Sequence, residues 1–236
     1  MSGGWAPKRF WKQAEVVAED TGFTVSLDGR VLKTPAKTAF WVPTRGLAEA
    51  VAAEWQAQEG KVKPETMPYT RTANSALDKV QPQFAAVADM LAAYGGSDLL
   101  CYRAEAPQEL ILRQAAAWDP VLAWAKAEFG VDLTVTHGIM PIDQPAPSLA
   151  VLTDAVHALS PFELAAFHDL VAITGSLVLA LAIAQGHVTP DAGFDLSRVD
   201  ESWQIDLWGV DEDAAESEAI KRESVLQAAR FFILCG

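Results

Sequence analysis

The amino-acid sequence predicts an α+β protein: a small N-terminal antiparallel β-sheet domain with one helix, followed by a larger all-helical C-terminal domain. Apolar and polar residues alternate near the N-terminus, whereas further along the chain apolar residues recur every three or four positions. The charge changes as well, because residues 1–90 carry 11 basic and 10 acidic side chains and residues 91–236 carry 7 and 21. These differences predict two domains, residues 1–80 and 81–236.

The first domain is predicted to begin with strands. Residues 23–27 alternate between apolar and polar side chains, which is the period of a half-buried strand. Asp28-Gly29 then supplies the positive φ angles that a tight hairpin turn requires. Residues 15–17 before this hairpin and 39–42 after it are expected to add strands to an antiparallel sheet.

One helix follows the predicted sheet. Thr44 is a favourable N-cap, and Leu47, Val51 and Trp55 recur every four residues until Gly60 ends the pattern. We expect this apolar stripe to pack on the sheet.

The second domain is predicted to consist of helices. Pro107 and Pro120 both suit the first position of a helix, the latter with Asp119 as its N-cap. Residues 108–129 are therefore expected to form either two helices or one bent helix. Another apolar stripe at helical spacing lies within residues 149–159.

A long apolar helix is expected in the middle of this domain. Residues 160–163 form a capping box with proline at the first helical position, which predicts a helix that continues through Ala184. Its uncharged run, residues 170–184, is shorter than the roughly 18 to 20 residues that a membrane span needs. We therefore expect a buried central helix and no membrane insertion.

The last two helices are predicted from caps and spacing. Thr189-Pro190 is expected to start one helix, with Val199, Trp203 and Leu207 on its core side because they are spaced four residues apart. The final helix is predicted to begin within residues 211–213, where acids suit the positive end of the helix dipole.

Acidic side chains are concentrated between residues 191 and 218, a segment that contains ten carboxylates and a single basic residue, Arg198. Large aromatic side chains alternate with these acids over residues 197–212. The whole chain has a net charge of −13, which disfavours nucleic acid or an anionic membrane as a partner. The segment is therefore predicted to bind a basic or mixed-charge protein surface.

Motifs for catalysis and cofactor binding are missing from the sequence. There is no glycine-rich phosphate loop, no GxGxxG, no GxSxG and no HExxH. Cys101 and Cys235 are far apart and too few for a zinc site, so we expect ordinary reduced thiols. The four histidines are scattered, and the neighbours His168 and Asp169 are not expected to face one another on a helix. No cofactor or metal is expected.

The residues alone leave several interpretations of the acidic segment open. Asp200 and Glu201 are either part of a solvated helix face, part of an interaction surface, or the carboxylates of a small hydrolase that acts with His168 or His187. A scaffold for some other partner is a further alternative. A hydrolase would require a closed pocket in the helical domain with a strongly shifted carboxylate or histidine pKa.

Six motifs, taken together and in order, carry a family resemblance. They are RFWK at 9–12, LDGRVLKTP at 27–35, EWQAQ at 54–58, DLLCYR at 98–103, WDP at 118–120 and WQIDLWG at 203–209. Over about nine tenths of its length the chain resembles the assembly chaperones of F-type ATP synthase that act on the α subunit. Relatives often have Leu-x-Asn-Thr-Ala where this chain has residues 72–76, so any role of that loop carries over less directly.

The resemblance implies both a fold and a function. Family members have an N-terminal sheet domain and a C-terminal helical domain, and they are not enzymes. They bind the free α subunit of the catalytic head, cover surface that later faces a β subunit, and prevent aggregation until β replaces the chaperone. For this chain the resemblance implies the unassembled α subunit as partner, no cofactor, and a monomer whose binding face stays free.

The resemblance also implies which residues contact the partner. The family pattern places a required acid just before the Gln and Trp-Gly of the last motif, which corresponds here to Glu201 first and Asp200 second. Trp55 is a second candidate, with more weight on packing than on contact. The predicted partner-binding residues are Glu201, Asp200, Gln204, Trp208, Trp203, Glu212 and Trp55.

The N-terminal residues 1–10 lack the apolar core of a signal peptide and the features of an organelle transit peptide. Organellar relatives carry a targeting presequence. A cytoplasmic bacterial protein, or a processed form, is therefore expected here, whereas relatives in eukaryotes are mitochondrial.

Overall fold

A computed structural model describes residues 8–20 and 22–236, so most of the N-terminal stretch considered for targeting lies outside the described residues. The chain begins with a three-stranded antiparallel sheet of order β1-β2-β3 and continues mostly as helices, which confirms the predicted α+β class. The strands are β1 (Ala14–Glu19), β2 (Gly22–Leu27) and β3 (Arg30–Val31).

The predicted hairpin turn is confirmed, since Asp28 and Gly29 have φ angles of 48° and 82°. Residues 39–42, by contrast, form isolated bridges and no strand of their own. Val42 exchanges two backbone hydrogen bonds with Phe23, at 2.9 and 2.8 Å. Prolines at 35 and 43 flank this segment and have no N–H to extend a ladder, so the pairing stays local.

The helices follow in chain order. They are α1 (Arg45–Gln56), α2 (Pro68–Ser75), α3 (Phe84–Ala92), α4 (Gln108–Phe129), α5 (Ala146–His157), α6 (Pro161–Thr174), α7 (Leu177–Ala184), α8 (Pro190–Leu196), α9 (Val199–Trp208) and α10 (Glu212–Ile233). A short parallel pair, β4 (Tyr102–Arg103) and β5 (Thr136–His137), was not expected from the sequence.

The N-cap of α1 is confirmed, because the Thr44 hydroxyl accepts a hydrogen bond from the Leu47 N–H at 3.2 Å. Leu47 and Val51 are fully buried and α1 packs on β1 and β2 as expected. The helix ends at Gln56, four residues before the glycine that was expected to stop it.

The chain forms two compact units. The first contains the described residues of Met1–Phe84 together with Ser160–Ala166 and Arg230–Gly236, and the second contains Ala85–Leu159 and Phe167–Ala229. The domain boundary at residue 80 stays a prediction, because compactness does not establish which parts fold independently.

Helix α4 is continuous over 22 residues and carries Pro120 in its interior, so of the two predicted alternatives the single helix is present. The prediction that Asp119 is an N-cap is wrong, because this residue lies inside α4. Its Oδ1 accepts a hydrogen bond from Arg103 Nη2 at 2.8 Å. The guanidinium of Arg103 also lies over the buried ring of Trp118, and these contacts hold this part of α4 in place.

The predicted single helix from residue 161 to 184 is wrong, because it is divided into α6 and α7. The capping box at its start is confirmed by reciprocal bonds between Ser160 and Glu163, at 2.7 and 3.3 Å. Gly175, with φ at 68°, then ends α6. The hydroxyl of Ser176 accepts a hydrogen bond from Leu179 N–H and caps α7.

Residues Pro68–Cys101 form a helical stretch that is long and apolar enough, by length and composition alone, to cross a membrane. The stretch is a succession of α, π and 3-10 segments, and Ala73, Leu77 and Leu91 within it are buried. Core helices of soluble proteins meet the same criterion, so the expected lack of membrane insertion stays a prediction.

Candidate binding groove

An open groove of about 840 Å³ lies between α9 and α10 in the second unit, and we call it the α9–α10 groove. The two helices are joined by residues 209–211, where Gly209 has a φ of 88° and ends α9. The groove is lined by Arg198, Glu201, Gln204, Ile205, Trp208, Gly209, Val210, Asp211, Ala214, Ala215, Glu218, Ala219, Arg222, Glu223 and Leu226.

Helix α9 is held by its inner face, which packs on α4. Gln114 of α4 is buried; its Nε2 donates to Asp200 Oδ1 at 2.6 Å, and its Oε1 accepts from the Ala104 N–H at 2.8 Å. Arg113 Nη1 donates to Asp206 Oδ2 at 2.5 Å, and its guanidinium lies 6.0 Å from the Trp203 ring. These bonds leave the opposite face of α9 for the groove.

The predicted core stripe of this helix is only partly confirmed. Val199 is buried and Trp203 is half-buried, but Leu207 is 55% exposed. The predicted single helix from Thr189 and Pro190 through Leu207 is wrong, because α8 ends at Leu196 and α9 starts separately at Val199 and ends at Trp208.

Helix α10 is fixed by its start and its middle. Asp211 Oδ1 accepts a hydrogen bond from the Ala214 N–H at 2.9 Å and caps the first turn, as the predicted start implies. One turn past the groove's centre, Arg222 donates to Asp191 at 3.0 Å and also to Asp195. Its guanidinium lies 4.7 Å from the Phe194 ring centroid, so α10 is anchored to α8.

The tertiary structure neutralises part of the acidic segment with arginines that are distant in sequence. Arg222 pairs with Asp191 and Asp195, Arg113 pairs with Asp206, and the local Arg198 pairs with Glu201 at 2.8 Å. Four acids in the first turns of α10 have no ion-pair partner among the described residues. They are Glu212, Asp213, Glu216 and Glu218.

Apolar side chains lie exposed beside these acids. Trp208 is 77% exposed and Val210 is 67% exposed, and both line the α9–α10 groove together with Ile205. Nothing in the fold of the described residues covers them. A large aromatic side chain next to uncompensated charge is typical of protein-binding surfaces, where aromatic anchors supply much of the binding free energy.

One polar atom in the groove is left unsatisfied. The Nε of Arg198 is buried and has no hydrogen-bond partner within the described part of the chain, although Nη1 pairs with Glu201. Buried donors in native proteins are nearly always paired, so this atom is an exception within the fold, and because the chain's own atoms cover it, it offers no contact to a partner.

The structure brings three of the predicted partner-binding residues together. Glu201, Gln204 and Trp208 line the α9–α10 groove. Glu212 is exposed at the start of α10, whereas Asp200 and Trp203 face α4.

Trp55 belongs to the first unit, where its ring packs against Trp11 at 5.2 Å between centroids. A role in partner binding stays a prediction for all seven residues. Sequence reasoning missed Ile205, Val210, Ala215 and Ala219; the spacing of the two alanines was the available signal.

Among the described residues, three side chains of the hydrolase alternative make other contacts. The ring of His187 stacks on Trp124 at 4.7 Å, while Asp200 and Glu201 are bonded to Gln114 and Arg198. No group of three or more metal-binding side chains occurs within residues 8–20 and 22–236.

The expectation that His168 and Asp169 do not face one another is wrong. His168 Nδ1 lies 3.0 Å from Asp169 Oδ1, because both side chains are half-exposed and have room to bend together. The hydrogen bond to Asp169 raises the pKa of His168. Cys101 and Cys235 are free and buried, and burial raises the pKa of each thiol to about 12. They are therefore unreactive thiols rather than nucleophiles.

A fully buried carboxylate, Asp98, lies in the second unit and does not line the groove. The oxygens of Asp98 accept hydrogen bonds from Leu100 N–H at 3.0 Å, Ser176 Oγ at 2.7 Å and Val178 N–H at 3.0 Å. Burial raises the pKa of Asp98. This acid joins residues 98–100 to the first turn of α7, so its role is structural.

Comparison with known proteins agrees with the motifs. The family model described as ATP12 chaperone protein matches residues 8–126. Among curated proteins, the chain is 24% identical to protein atp12, mitochondrial, of Schizosaccharomyces pombe, over 97% of this chain and 82% of that protein.

Solved structures of bacterial proteins are more similar still. The structure of Atp12 from Paracoccus denitrificans matches with a TM-score of 0.95 and 44% identity, covering 97% of this chain and 98% of that one. An aspartate-to-lysine mutant of the same protein matches equally well. Atu1473 of Agrobacterium tumefaciens, a putative chaperone, matches with a TM-score of 0.91 and 39% identity, covering 97% and 86% of the two chains.

Proposed function

Because this chain belongs to the ATP12 chaperone family, we propose that it binds the unassembled α subunit of ATP synthase, shields its subunit interface from aggregation and hands it on to the β subunit. The predicted family is confirmed, and the protein is an ATP synthase assembly chaperone and not an enzyme. The α subunit as partner, the shielding and the handover are the parts proposed here.

The observation that carries the proposal is the exposed Trp208 in the wall of the α9–α10 groove. A ring subunit without its neighbours exposes apolar surface, and such surface associates with wrong partners. An aromatic side chain in an open groove offers that surface a temporary apolar contact. The groove is concave and rimmed by polar groups, which is the usual anatomy of a specific interface.

The unpaired acids beside the groove support a fast and reversible encounter. Glu212, Asp213 and Glu216 lie at the surface, where a charge costs little and attracts basic partners over several ångströms. Charges at the rim of an interface change the association rate more than the affinity. A chaperone that must later release its client benefits from this combination.

A monomer in the bacterial cytoplasm is the state we propose for this protein. The solved relatives come from bacteria, while the Schizosaccharomyces pombe relative is named as mitochondrial. A free α9–α10 groove requires that no second copy occupies it. Sedimentation of the purified protein tests this state directly.

The test is light scattering of purified α subunit during refolding, with and without a several-fold excess of this protein. We expect suppression by the wild-type protein and loss of most of that suppression with Trp208→Ala. The matched control is Ile139→Ala, which removes another apolar side chain, 92% exposed, that does not line the groove. Each variant is first checked for an unchanged circular dichroism spectrum.

The possible outcomes test the proposed client and the proposed binding site separately. No suppression by the wild-type protein would contradict the proposed client. If Trp208→Ala and Ile139→Ala reduce the suppression equally, the α subunit remains the proposed client, but the α9–α10 groove is not its binding site.

A further inference from the structure

We infer that the α9–α10 groove receives an α-helical segment of the client whose apolar face is flanked by lysine or arginine. This inference rests on the proposed function and adds the kind of segment that is bound. It is drawn from the shape of the groove, the side chains of its two walls and its charges.

The groove has the length and the walls that suit a helix. Its α10 wall extends from Asp211 to Leu226, about 22 Å at the rise of an α-helix, and its α9 wall from Arg198 to Trp208, about 15 Å. Three exposed alanines, Ala214, Ala215 and Ala219, form a shallow surface on α10. Small side chains allow a second helix to pack at the short end of the usual interaxial range.

An extended segment fits the same surface poorly. The apolar part of the walls is formed by side chains such as Ile205, Trp208 and Val210, and no strand among the described residues contributes to the groove. The backbone N–H and C=O groups of a bound strand would therefore meet apolar atoms and lose their water. A helix satisfies these groups internally and presents only side chains to the walls.

The charges at the rim select the flanking residues. Asp211 and Glu218 line the groove, and Glu212 and Asp213 lie next to it in sequence, whereas Arg198 and Arg222 already pair with acids of this chain. A client helix with basic residues beside its apolar face supplies partners to these groove acids, whereas an acidic client helix is repelled by them.

Photo-crosslinking tests the inference on the full chain in its complex with the α subunit. The photoreactive amino acid p-benzoylphenylalanine replaces Ala215 or Ala219 in the groove, and in the matched control it replaces Ala86, an exposed helical alanine that does not line the groove. Complex formation is confirmed beforehand by light scattering and gel filtration, and crosslinked peptides are identified by mass spectrometry.

We expect the two groove positions to give crosslinks at about tenfold higher yield than position 86, all within one client segment. Within that segment, residues crosslinked from 215 and from 219 should be three or four positions apart, on an apolar stripe with flanking lysine or arginine. Crosslinks that are scattered, or that fall on a strand or an acidic segment, would overturn the inference and leave the proposed function. Failure of the unsubstituted protein to form a complex would overturn both.

Discussion

Helices α7 and α10 both have carboxylates at their starts, but the two sets of acids are treated in opposite ways by the fold. Asp98 lies at the first turn of α7, is completely buried, and accepts hydrogen bonds from Leu100, Ser176 and Val178. Glu212 and Asp213 lie at the first turn of α10, are exposed, and have no ion-pair partner among the described residues.

The difference shows how burial separates structural acids from binding acids. A buried carboxylate costs several kcal/mol unless its oxygens are hydrogen-bonded, so Asp98 is retained only with a complete set of donors. An exposed carboxylate costs almost nothing and stays available to another molecule. A carboxylate beside a helix start therefore stabilises the fold in one place and stays available to a partner in the other.

The largest effect is expected where the buried acid is removed. Asp98→Ala should lower the free energy of unfolding by about 3 kcal/mol or more, because three buried donors lose their acceptor. Urea unfolding followed by tryptophan fluorescence measures this change. The matched control Glu212→Ala should cost less than about 1 kcal/mol, as expected for an exposed acid at a helix start. Equal losses in the two variants would contradict the comparison.

Substitutions of Asp200 test whether this acid of α9 stabilises the fold or binds the client. Asp200→Lys should cost about 2 kcal/mol of stability, because a cation would then face the amide donor of the buried Gln114. Asp200→Asn keeps an oxygen acceptor and should cost less than about 1 kcal/mol.

We expect the Asn variant to suppress aggregation of the α subunit as well as the wild-type protein does, since this side chain faces α4. Loss of suppression in a stably folded Asn variant would instead assign the negative charge itself to client binding.

The exposed acids at the start of α10 should affect the rate at which the protein associates with the α subunit. Reversing two charges with Glu212→Lys and Glu216→Lys should slow association with the α subunit about tenfold at low salt, with little change in dissociation. Stopped-flow mixing measures both rates. The slowing should disappear at high salt, where such charges are screened. Glu128→Lys, an exposed acid of α4 outside the groove, is the matched control and should leave the rate nearly unchanged.

The smallest effect concerns the half-exposed pair of His168 and Asp169. Asp169 raises the pKa of His168 in the folded protein, so the native state binds this proton more tightly than the unfolded chain does. The resulting stabilisation is complete below the unfolded pKa and is lost as the pH rises through the folded pKa. Because both groups are partly solvated, it should be less than about 1 kcal/mol.

Thermal unfolding at about pH 5.5 and about pH 8.5 tests the sign of this effect. Asp169→Asn should reduce stability at the lower pH and leave it nearly unchanged at the higher pH. A larger loss at the higher pH would contradict the assignment.

Elements with a local signal could be predicted from the sequence. The turn at Asp28-Gly29, the cap at Thr44, and the capping box of Ser160 and Glu163 each involve residues at most three positions apart. Such signals depend only on backbone geometry and on hydrogen bonds within one turn. No distant part of the chain is needed for them to form.

Two departures from the predicted helices involve long-range contacts. They are the continuity of α4 and the break between α6 and α7, although Gly175 and the Ser176 cap also mark that break locally. The start of α7 depends on Asp98, which lies 78 residues before Ser176 in the chain. Pro120 remains inside α4 in a region where Trp118 donates from Nε1 to the Leu196 carbonyl at 2.7 Å. At Pro120 the long-range contact outweighs the local preference against proline inside a helix, which is worth about 3 kcal/mol.

For the candidate site, the sequence by itself determined that residues 191–218 would be acidic and rich in aromatic side chains, because composition needs no folding. Only the tertiary structure decided which of those acids are neutralised. Arg113 and Arg222 reach them from outside the segment, while the start of α10 receives no such partner among the described residues. The groove itself arises only when α4 holds α9, and α8 holds α10, at positions that leave Trp208 uncovered.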